Sequence, residues 1–295
     1  MDETGRTVTL SPGVVRVLAP NPSPMTFRGT NSYLVGEEEL TLIDPGPDLP
    51  AHREALLAAL AGRRLARIVV THSHVDHSPL ARSLGAELGV PVLAFGDSGA
   101  GRSAAMARLA AAAPLEGGEG VDAGFAPDRR LTDGEVLGQG ADALTVLHTP
   151  GHMGNHVALL RGDTAFCGDL VMGWASSLVS PPDGDLGDFL ASCRRLRALG
   201  LARLYPGHGD PVEDPAGRID WLIAHREERS AQILAALAEG PRDIPALVAR
   251  LYADVPVQMH PAAARNVLAH LIHLEGQGAV ACDGPPGPGT IYRRT

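Results

Sequence analysis

The sequence predicts an α+β fold, in which a layered core of strands and helices precedes a smaller C-terminal domain. In the first two thirds of the chain, short apolar runs alternate with stretches of helical period, which is typical of sheets covered by helices. After Asp214-Pro215, three helical stretches are followed by two short strands, which is the order of elements in a winged helix. The length of 295 residues fits one large domain or two unequal ones. We expect residues 1–214 to form the first domain and 215–295 the second.

The elements of the first domain follow from apolar runs and from the Pro and Gly residues that interrupt them. Strands are predicted at residues 14–18, 32–35, 40–43, 68–70, 90–95, 143–147, 157–160, 164–167 and 201–205. Helices are predicted at 49–60, 79–88 and 186–199, and Asp185 is the expected N-cap of the last helix. The Ala- and Gly-rich stretch 96–128 shows no clear period. It is therefore predicted to be a surface insertion.

The second domain begins with a long helix, because Pro215 follows an Asp that suits the N-cap position. Gly240-Pro241 ends that helix. Two further helices are predicted at 244–252 and 261–274, followed by strands at 279–282 and 290–294.

Charge and composition exclude several classes of function. All 25 basic residues are arginine, so lysine Schiff bases, lysine general bases and lysine-dependent phosphate loops are excluded. Residues 1–214 hold 17 Arg and 26 acidic residues, which accounts for the whole net charge of −9, whereas residues 215–295 hold eight of each. A reader of duplex DNA normally carries a basic stripe, so we expect no duplex DNA partner.

The expected surroundings of the chain also follow from composition. No apolar run approaches 18 residues, so no membrane partner is expected. The three cysteines are odd in number and lie far apart, and the first ten residues are acidic and polar rather than a signal peptide. These features predict a cytoplasmic location.

Seven of the twelve histidines fall in three short clusters, each next to a predicted strand. The first cluster is THSHVDH at residues 71–77, the second is HTPGH at 148–152 with His156 four residues later, and the third is PGHG at 206–209. Cys167-Gly168-Asp169 lies between the last two. Imidazole and carboxylate are the ligands that divalent metals such as zinc take where no thiolate is offered. The clusters therefore predict a metal site.

The motifs HxHxDH, TPGH, GD and PGHG resemble, in this order, the metallo-β-lactamase superfamily across residues 13–213. The resemblance implies an αβ/βα sandwich with a two-metal site at one edge. It implies a first zinc on three histidines, a second zinc on an aspartate and two histidines, and one carboxylate bridging both. These residues are, in that order, His72, His74 and His152; Asp76, His77 and His208; and Asp169.

Other features resemble the β-lactamase-like protein 2 group, and this similarity covers nearly the whole chain. They are GTNSYLVG at 29–36, IDPGP at 43–47, the helix segment His225-Arg226-Glu227 and the winged-helix tail. Members of that group include a mitochondrial endoribonuclease acting on single-stranded RNA, and relatives that act as thioesterases. The resemblance thus implies a hydrolase with two Zn²⁺ per chain, with Mn²⁺ or Fe²⁺ possible at one site, in which a metal-bridging hydroxide is the nucleophile.

Three interpretations of the function remain open at this point. One is a single-strand endoribonuclease, and another is a thioesterase or lactone hydrolase acting on a small acyl substrate. The third is a winged-helix nucleic-acid-binding regulator, which the neutral tail and the intact ligand set disfavour. The tail is expected to roof the active site or to form a homodimer.

Six residues are assigned roles around the metals. Asp76 is expected to be catalytic as well as a ligand, because its second oxygen could orient the nucleophile. His156 is expected to donate a proton to the leaving group or to line the pocket, and Asp44 to orient a metal-bound histidine. The residues assigned to substrate binding are Asn31 in the GTNSYLVG motif, Met153 directly after His152, and Trp174 after Asp169.

Overall fold

Two β-sheets face each other in the first domain. The computed structural model describes residues 5–37, 39–112 and 120–295. In the first sheet the strands lie side by side in chain order: β1 (Thr7–Ser11), β2 (Val14–Leu18), β3 (Asn31–Val35), β4 (Leu40–Ile43), β5 (Leu65–Val69), β6 (Val92–Ala94) and β7 (Arg129–Arg130). Strands β1 to β4 pair antiparallel, and β4 to β7 pair parallel.

Helices make the connections between the parallel strands, which a short turn cannot do. They are α1 (Pro50–Leu60), α2 (Leu80–Leu88) and α3 (Ala104–Ala112). The second sheet has the order β12-β11-β10-β9-β8. Its strands are β8 (Val136–Leu137), β9 (Leu144–His148), β10 (Val157–Arg161), β11 (Thr164–Gly168) and β12 (Arg203–Pro206). Strand β11 pairs parallel with β12, and α4 (Leu186–Arg197) joins them.

The strands alternate between two apolar layers, as their period of two requires. In β3, Tyr33 and Val35 contribute to the core between the sheets, whereas Leu34 belongs to the layer with α1 and α2. In β11, Phe166 lies between the sheets and Cys167 belongs to the layer with α4. The result is a helix–sheet–sheet–helix arrangement, and the predicted αβ/βα sandwich is confirmed.

Three helices and a two-stranded sheet make up the C-terminal part, in the order that the sequence predicts for a winged helix. They are α5 (Pro215–Ala238), α6 (Ile244–Leu251), α7 (His260–Gly276), β13 (Val280–Cys282) and β14 (Tyr292–Arg294). Ile219 and Leu222 of α5 pack in the core with α4, whereas Ile233 and Leu237 pack in the C-terminal core. Because α5 is shared by both cores, the boundary between residues 214 and 215 stays a prediction.

Strands β1, β7 and β8 and helix α3 were not predicted from the sequence. Strand β1 has only partly buried and exposed side chains, so it lacks a strong apolar signal. Helix α3 lies inside the predicted insertion 96–128, where Met106 and Leu109 are buried among alanines that conceal the period. Residues 113–119 of that insertion lie outside the described residues. Among the described helices, none combines the length and hydropathy needed to cross a bilayer.

Candidate metal centre

The predicted ligands converge on one edge of the sandwich, where several strands end. The segment after β5 contains the first histidine cluster, and the segments after β9, β11 and β12 contain His152, Asp169 and His208. Because parallel strands end at the same edge of a sheet, Asp44 after β4 lies beside the segment that follows β5. The fold thus brings together residues, such as His77 and His208, that are 131 positions apart.

Three histidines form the first donor group. His74 Nδ1 lies 3.0 Å from His72 Nε2 and 3.0 Å from His152 Nε2. Burial, followed by the neighbouring imidazoles, holds the pKa of His72 well below its ordinary value, and it lowers the pKa of His74 to about 3. Three neutral imidazole nitrogens therefore point at one another, an arrangement that suits a divalent cation.

The second donor group combines a carboxylate with two histidines. Asp76 Oδ2 lies 3.3 Å from His77 Nε2 and 3.1 Å from His208 Nε2. Burial opposes charge on His208, but Asp169 and Asp76 outweigh it and raise its pKa to about 10. Burial also acts to raise the pKa of Asp76, but His77 and His208 hold it well below its ordinary value. A metal ion binding here would displace protons from the two imidazoles.

Asp169 lies between the two donor groups and reaches both. Its Oδ2 is 3.7 Å from His152 Nε2 in the first group and 3.2 Å from His208 Nε2 in the second. Its Oδ1 is 3.6 Å from His77 Nε2 and, among the described residues, has no hydrogen-bond partner although it is buried. A buried carboxylate oxygen without a donor is costly unless a cation occupies the space beside it.

The Nδ1 nitrogens of two of the donor-group histidines are held by a buried network around Asp44. His77 Nδ1 donates to Asp44 Oδ2 at 3.0 Å. The same carboxylate accepts from the Thr71 hydroxyl and the Thr71 backbone N–H, each at 2.7 Å. Since the Thr71 hydroxyl donates to Asp44, it accepts from His72 Nδ1 at 3.0 Å. Asp44 therefore fixes one histidine directly and a second through Thr71, and leaves both Nε2 atoms free for a ligand.

Backbone carbonyls hold His152 and His208. His208 Nδ1 donates to Gly29 O at 3.1 Å, and His152 Nδ1 donates to Leu178 O at 2.7 Å. In the neutral imidazole, each bond selects the tautomer whose Nε2 lone pair faces the centre.

The space between the donor side chains is small enough that one added carbon atom at Gly207 would fill it. A Cβ at Gly207 would lie 2.2 Å from Asp169 Oδ1 and 2.7 Å from His77 Cε1. Glycine at this position keeps the space between the donors open. A bound divalent metal fits three features of this site: the donor chemistry, the unpartnered carboxylate oxygen of Asp169 and the open space beside Gly207.

Comparison with known proteins identifies the family of the chain. The family model of the metallo-β-lactamase superfamily matches residues 25–208, and that of the β-lactamase-associated winged helix domain matches residues 244–285. The chain belongs to the metallo-β-lactamase superfamily. It is thus a superfamily hydrolase of a fold that implies divalent metal binding.

Several known proteins are similar to this metallo-β-lactamase superfamily chain over most of its length. It is 32% identical to the β-lactamase-like protein 2 homolog of Drosophila melanogaster, over 91% of this chain and 90% of that protein. It is 31% identical to atrochrysone carboxyl ACP thioesterase of Aspergillus fumigatus, over 79% of this chain and 68% of that protein. It also resembles the crystal structure of a metallo-β-lactamase family protein from Thermus thermophilus, with a TM-score of 0.77, 30% identity and coverage of 97% and 100% of the two chains.

Asn31, which was assigned to substrate binding, does not reach the surface of this superfamily member. Asn31 is fully buried, and its Nδ2 donates to Pro206 O at 3.0 Å and to Gly209 O at 2.8 Å. These bonds hold the segment that contains His208. The predicted substrate contact of Asn31 is therefore corrected to a structural role, because both amide protons are used inside the protein.

Met153 and His156 are also buried, contrary to the roles predicted for them. Met153 has no exposed surface, so it cannot touch substrate. His156 is fully buried, its Nδ1 pairs with Thr149 Oγ1 at 2.9 Å, and burial holds its pKa well below the ordinary value. A neutral, enclosed imidazole is a poor proton donor to a leaving group. His156 instead packs beside His72, with ring centroids 5.2 Å apart.

Trp174 is half-buried beside Gly209, the residue that follows His208, and its role in substrate binding stays a prediction. Its indole stacks on Phe27 with ring centroids 4.9 Å apart, and a Cβ on Gly209 would touch it at 2.7 Å. Phe27 was missed by the sequence analysis. It is 43% exposed and adopts a left-handed backbone conformation with φ of 56°, which is strained for an aromatic residue. The signal available in the sequence was an aromatic residue two positions before Gly29, where the GTNSYLVG motif begins.

Proposed function

We propose that this chain is a binuclear metal-dependent hydrolase that cleaves thioesters or esters of apolar acyl groups. The observation that carries the proposal is the Asp169 carboxylate, which lies within 3.7 Å of imidazole nitrogens from both donor groups. His72, His74 and His152 would hold one ion, and Asp76, His77 and His208 would hold the other, with Asp169 shared between them. The nitrogen and oxygen donors fit zinc, and they also admit Mn²⁺ or Fe²⁺.

Bound metals would supply Lewis-acid polarisation of the substrate oxygen and would acidify an attacking water. The residues around the metals would orient the attacking water and accept its proton. Thr30 Oγ1 donates to Asp76 Oδ2 at 3.1 Å, and His77 and His208 approach the same oxygen. Asp76 Oδ1 is therefore the oxygen that remains to accept a proton from the attacking water. Asp76 is partly exposed, with 21% of its side chain accessible, so water can reach it.

The rim of the centre supports an apolar substrate. Phe27 and Val75 are 43% and 45% exposed. Phe27 lies two residues before Gly29, whose carbonyl accepts from His208, and Val75 lies within the first histidine cluster. The nearby Arg28 is paired with Asp210, which reduces its attraction for an anionic substrate. The thioesterase name of the Aspergillus relative supports the same substrate class.

One contact favours a second candidate, cleavage of single-stranded RNA. The Arg28 guanidinium lies 5.2 Å from the centroid of the Phe27 ring, which is itself stacked on Trp174. Stacked aromatic rings beside a guanidinium can bind a nucleobase and its phosphate.

Zinc-loaded protein assayed side by side on a long-chain acyl-CoA and on an unstructured RNA oligonucleotide separates the two candidates. We expect hydrolysis of the acyl-CoA and intact RNA, with the thioester activity removed by a chelator and restored by zinc. Metal-dependent RNA cleavage without thioester hydrolysis would instead establish the nuclease. Inactivity on both substrates would contradict the proposed substrate class.

Phe27→Ala is expected to weaken binding of a long acyl chain. Removing a half-exposed ring from the rim forfeits about 1 kcal/mol of apolar contact, so KM should rise about five- to tenfold while kcat changes little. Val257→Ala, at an apolar position that is 75% exposed in the C-terminal part, is the matched control and should leave both constants unchanged. An unaltered KM for long acyl chains in Phe27→Ala would show that this rim does not bind substrate.

A further inference from the structure

The segment Met172–Ser180, between β11 and α4, is held mainly by the C-terminal helices. It contains no helix or strand, so its backbone groups need partners from elsewhere. Arg218 of α5 donates from Nε to Met172 O and from Nη2 to Ala175 O, each at 2.7 Å. Arg265 Nη1 of α7 donates to Ser180 Oγ at 2.9 Å. The segment that follows the shared carboxylate Asp169 is therefore tied to the winged-helix part of the chain.

Arg226 lies at the middle of this attachment as a buried cation. It is 3% exposed; its Nη2 donates to Ser177 O, and its Nη1 donates to Asn266 Oδ1 at 3.1 Å. The same Asn266 oxygen accepts from Val179 N at 3.3 Å. Among the described residues, no carboxylate oxygen lies within 4.0 Å of the guanidinium, and burial lowers the pKa of Arg226 to about 10. Burying a charge without a counter-ion lowers the stability of the fold, so a contribution to stability alone does not account for this arginine.

The bonds of Arg226 and Asn266 enclose the carbonyl that orients a metal ligand. Ser177 and Val179, the two residues that they hold, flank Leu178, whose carbonyl oxygen accepts from His152 Nδ1 at 2.7 Å. That bond leaves His152 Nε2 facing His74 Nδ1 at 3.0 Å. If the Leu178 carbonyl were displaced, the orientation and the tautomer of the His152 imidazole would no longer be fixed.

A second contact leads from Arg226 to the same histidine. The guanidinium carbon lies 5.4 Å from the centroid of the Phe189 ring in α4. The backbone of Phe189 packs directly against Gly151, where an added Cβ would lie 2.2 Å from Phe189 Cα. Gly151 immediately precedes His152, so Arg226 acts on the loop that presents this histidine through two neighbours, the 177–179 segment and Phe189.

We propose that Arg226 and Asn266 are positioning residues for His152, through which the winged-helix part of the chain sets the metal affinity of the first donor group. The proposal rests on the metal assignment made under the proposed function. It gives the C-terminal domain a role that needs no nucleic acid and no second copy of the chain.

Cobalt titration of Arg226→Met tests the proposal without reference to any substrate. Methionine keeps much of the length and apolar contact of the arginine but donates no hydrogen bond. In a His208→Ala background, which retains the first donor group, we expect Arg226→Met to weaken Co²⁺ binding about 10- to 100-fold and to change the visible absorption bands of the bound ion. In a His72→Ala/His74→Ala background, which retains the second group, the same substitution should change the affinity less than about twofold.

Arg229→Met is the matched control on the same helix. Arg229 Nη1 donates to Leu251 O at 2.8 Å and its guanidinium carbon lies 4.1 Å from the centroid of the Tyr252 ring, so its partners lie within the C-terminal domain. We expect this variant to lower the melting temperature while leaving Co²⁺ affinity and spectrum unchanged. Asn266→Asp keeps the Oδ1 acceptor and should remain close to wild type, whereas Asn266→Leu should reproduce the loss of affinity even if Arg226→Met fails to fold.

Different results overturn the inference and the proposed function. The inference is overturned if Arg226→Met and Asn266→Leu leave the Co²⁺ affinity of the first donor group unchanged in the His208→Ala background. The metal assignment would stand in that case. Equal losses of affinity in Arg226→Met and Arg229→Met would reduce the effect to general destabilisation, and they also overturn the inference. Failure of the wild-type chain to bind Co²⁺ at all would overturn the metal assignment itself.

Discussion

Replacing Asp169 by alanine is expected to lower kcat/KM for the thioester by at least about a thousandfold, which corresponds to about 4 kcal/mol of transition-state stabilisation. The carboxylate is the one described acidic group that approaches imidazole nitrogens of both donor groups, at 3.7 Å and 3.2 Å. Its loss removes a carboxylate that both donor groups would share, and with it one negative charge beside His77 and His208. Metal affinity should therefore fall together with activity.

The matched control for Asp169→Ala lies in the turn at the opposite end of β11. Asp163 is an exposed carboxylate in the turn between β10 and β11, and Asp163→Ala should retain full activity and metal content. Steady-state kinetics with zinc at saturating concentration measure both variants. Activity of Asp169→Ala within about tenfold of the wild type would contradict the role of this carboxylate.

The double variant His72→Ala/His74→Ala is expected to abolish turnover while the fold persists. Two of the three imidazoles of the first donor group are removed, so His152 and Asp169 remain as an inadequate ligand set for that ion. The fold should persist because these side chains lie in a loop beyond β5 rather than in a strand, and circular dichroism checks this. His225→Ala/His260→Ala, which removes two histidines of the C-terminal part, is the matched control and should stay fully active.

The position of the candidate centre could be predicted because its signal is local. HxHxDH follows a buried strand, and each later motif also begins where an apolar run stops, so strand ends alone bring the motifs to one edge. The N-caps at Asp185 and Asp214 were equally visible, and each accepts backbone N–H groups of the helix that follows. Such local patterns also explain why the αβ/βα sandwich and the winged helix were predicted correctly.

The roles of individual loop residues depended on partners that are distant in sequence. Asn31 bonds to carbonyls 175 and 178 positions away, and the enclosure of His156 depends on the neighbouring loops. Neither a period nor a motif reports which face of a loop is covered. The same limit concealed Arg226, because an arginine in an amphipathic helix is ordinarily exposed and only tertiary packing buries this one.

Metal content, measured by elemental analysis after zinc reconstitution and desalting, tests the central claim most directly. If seven side chains form two donor groups that share Asp169, each group should hold one ion. We expect two zinc ions per wild-type chain, one in His72→Ala/His74→Ala and one in His208→Ala. A wild-type chain without zinc, or two ions retained in His72→Ala/His74→Ala, would contradict it.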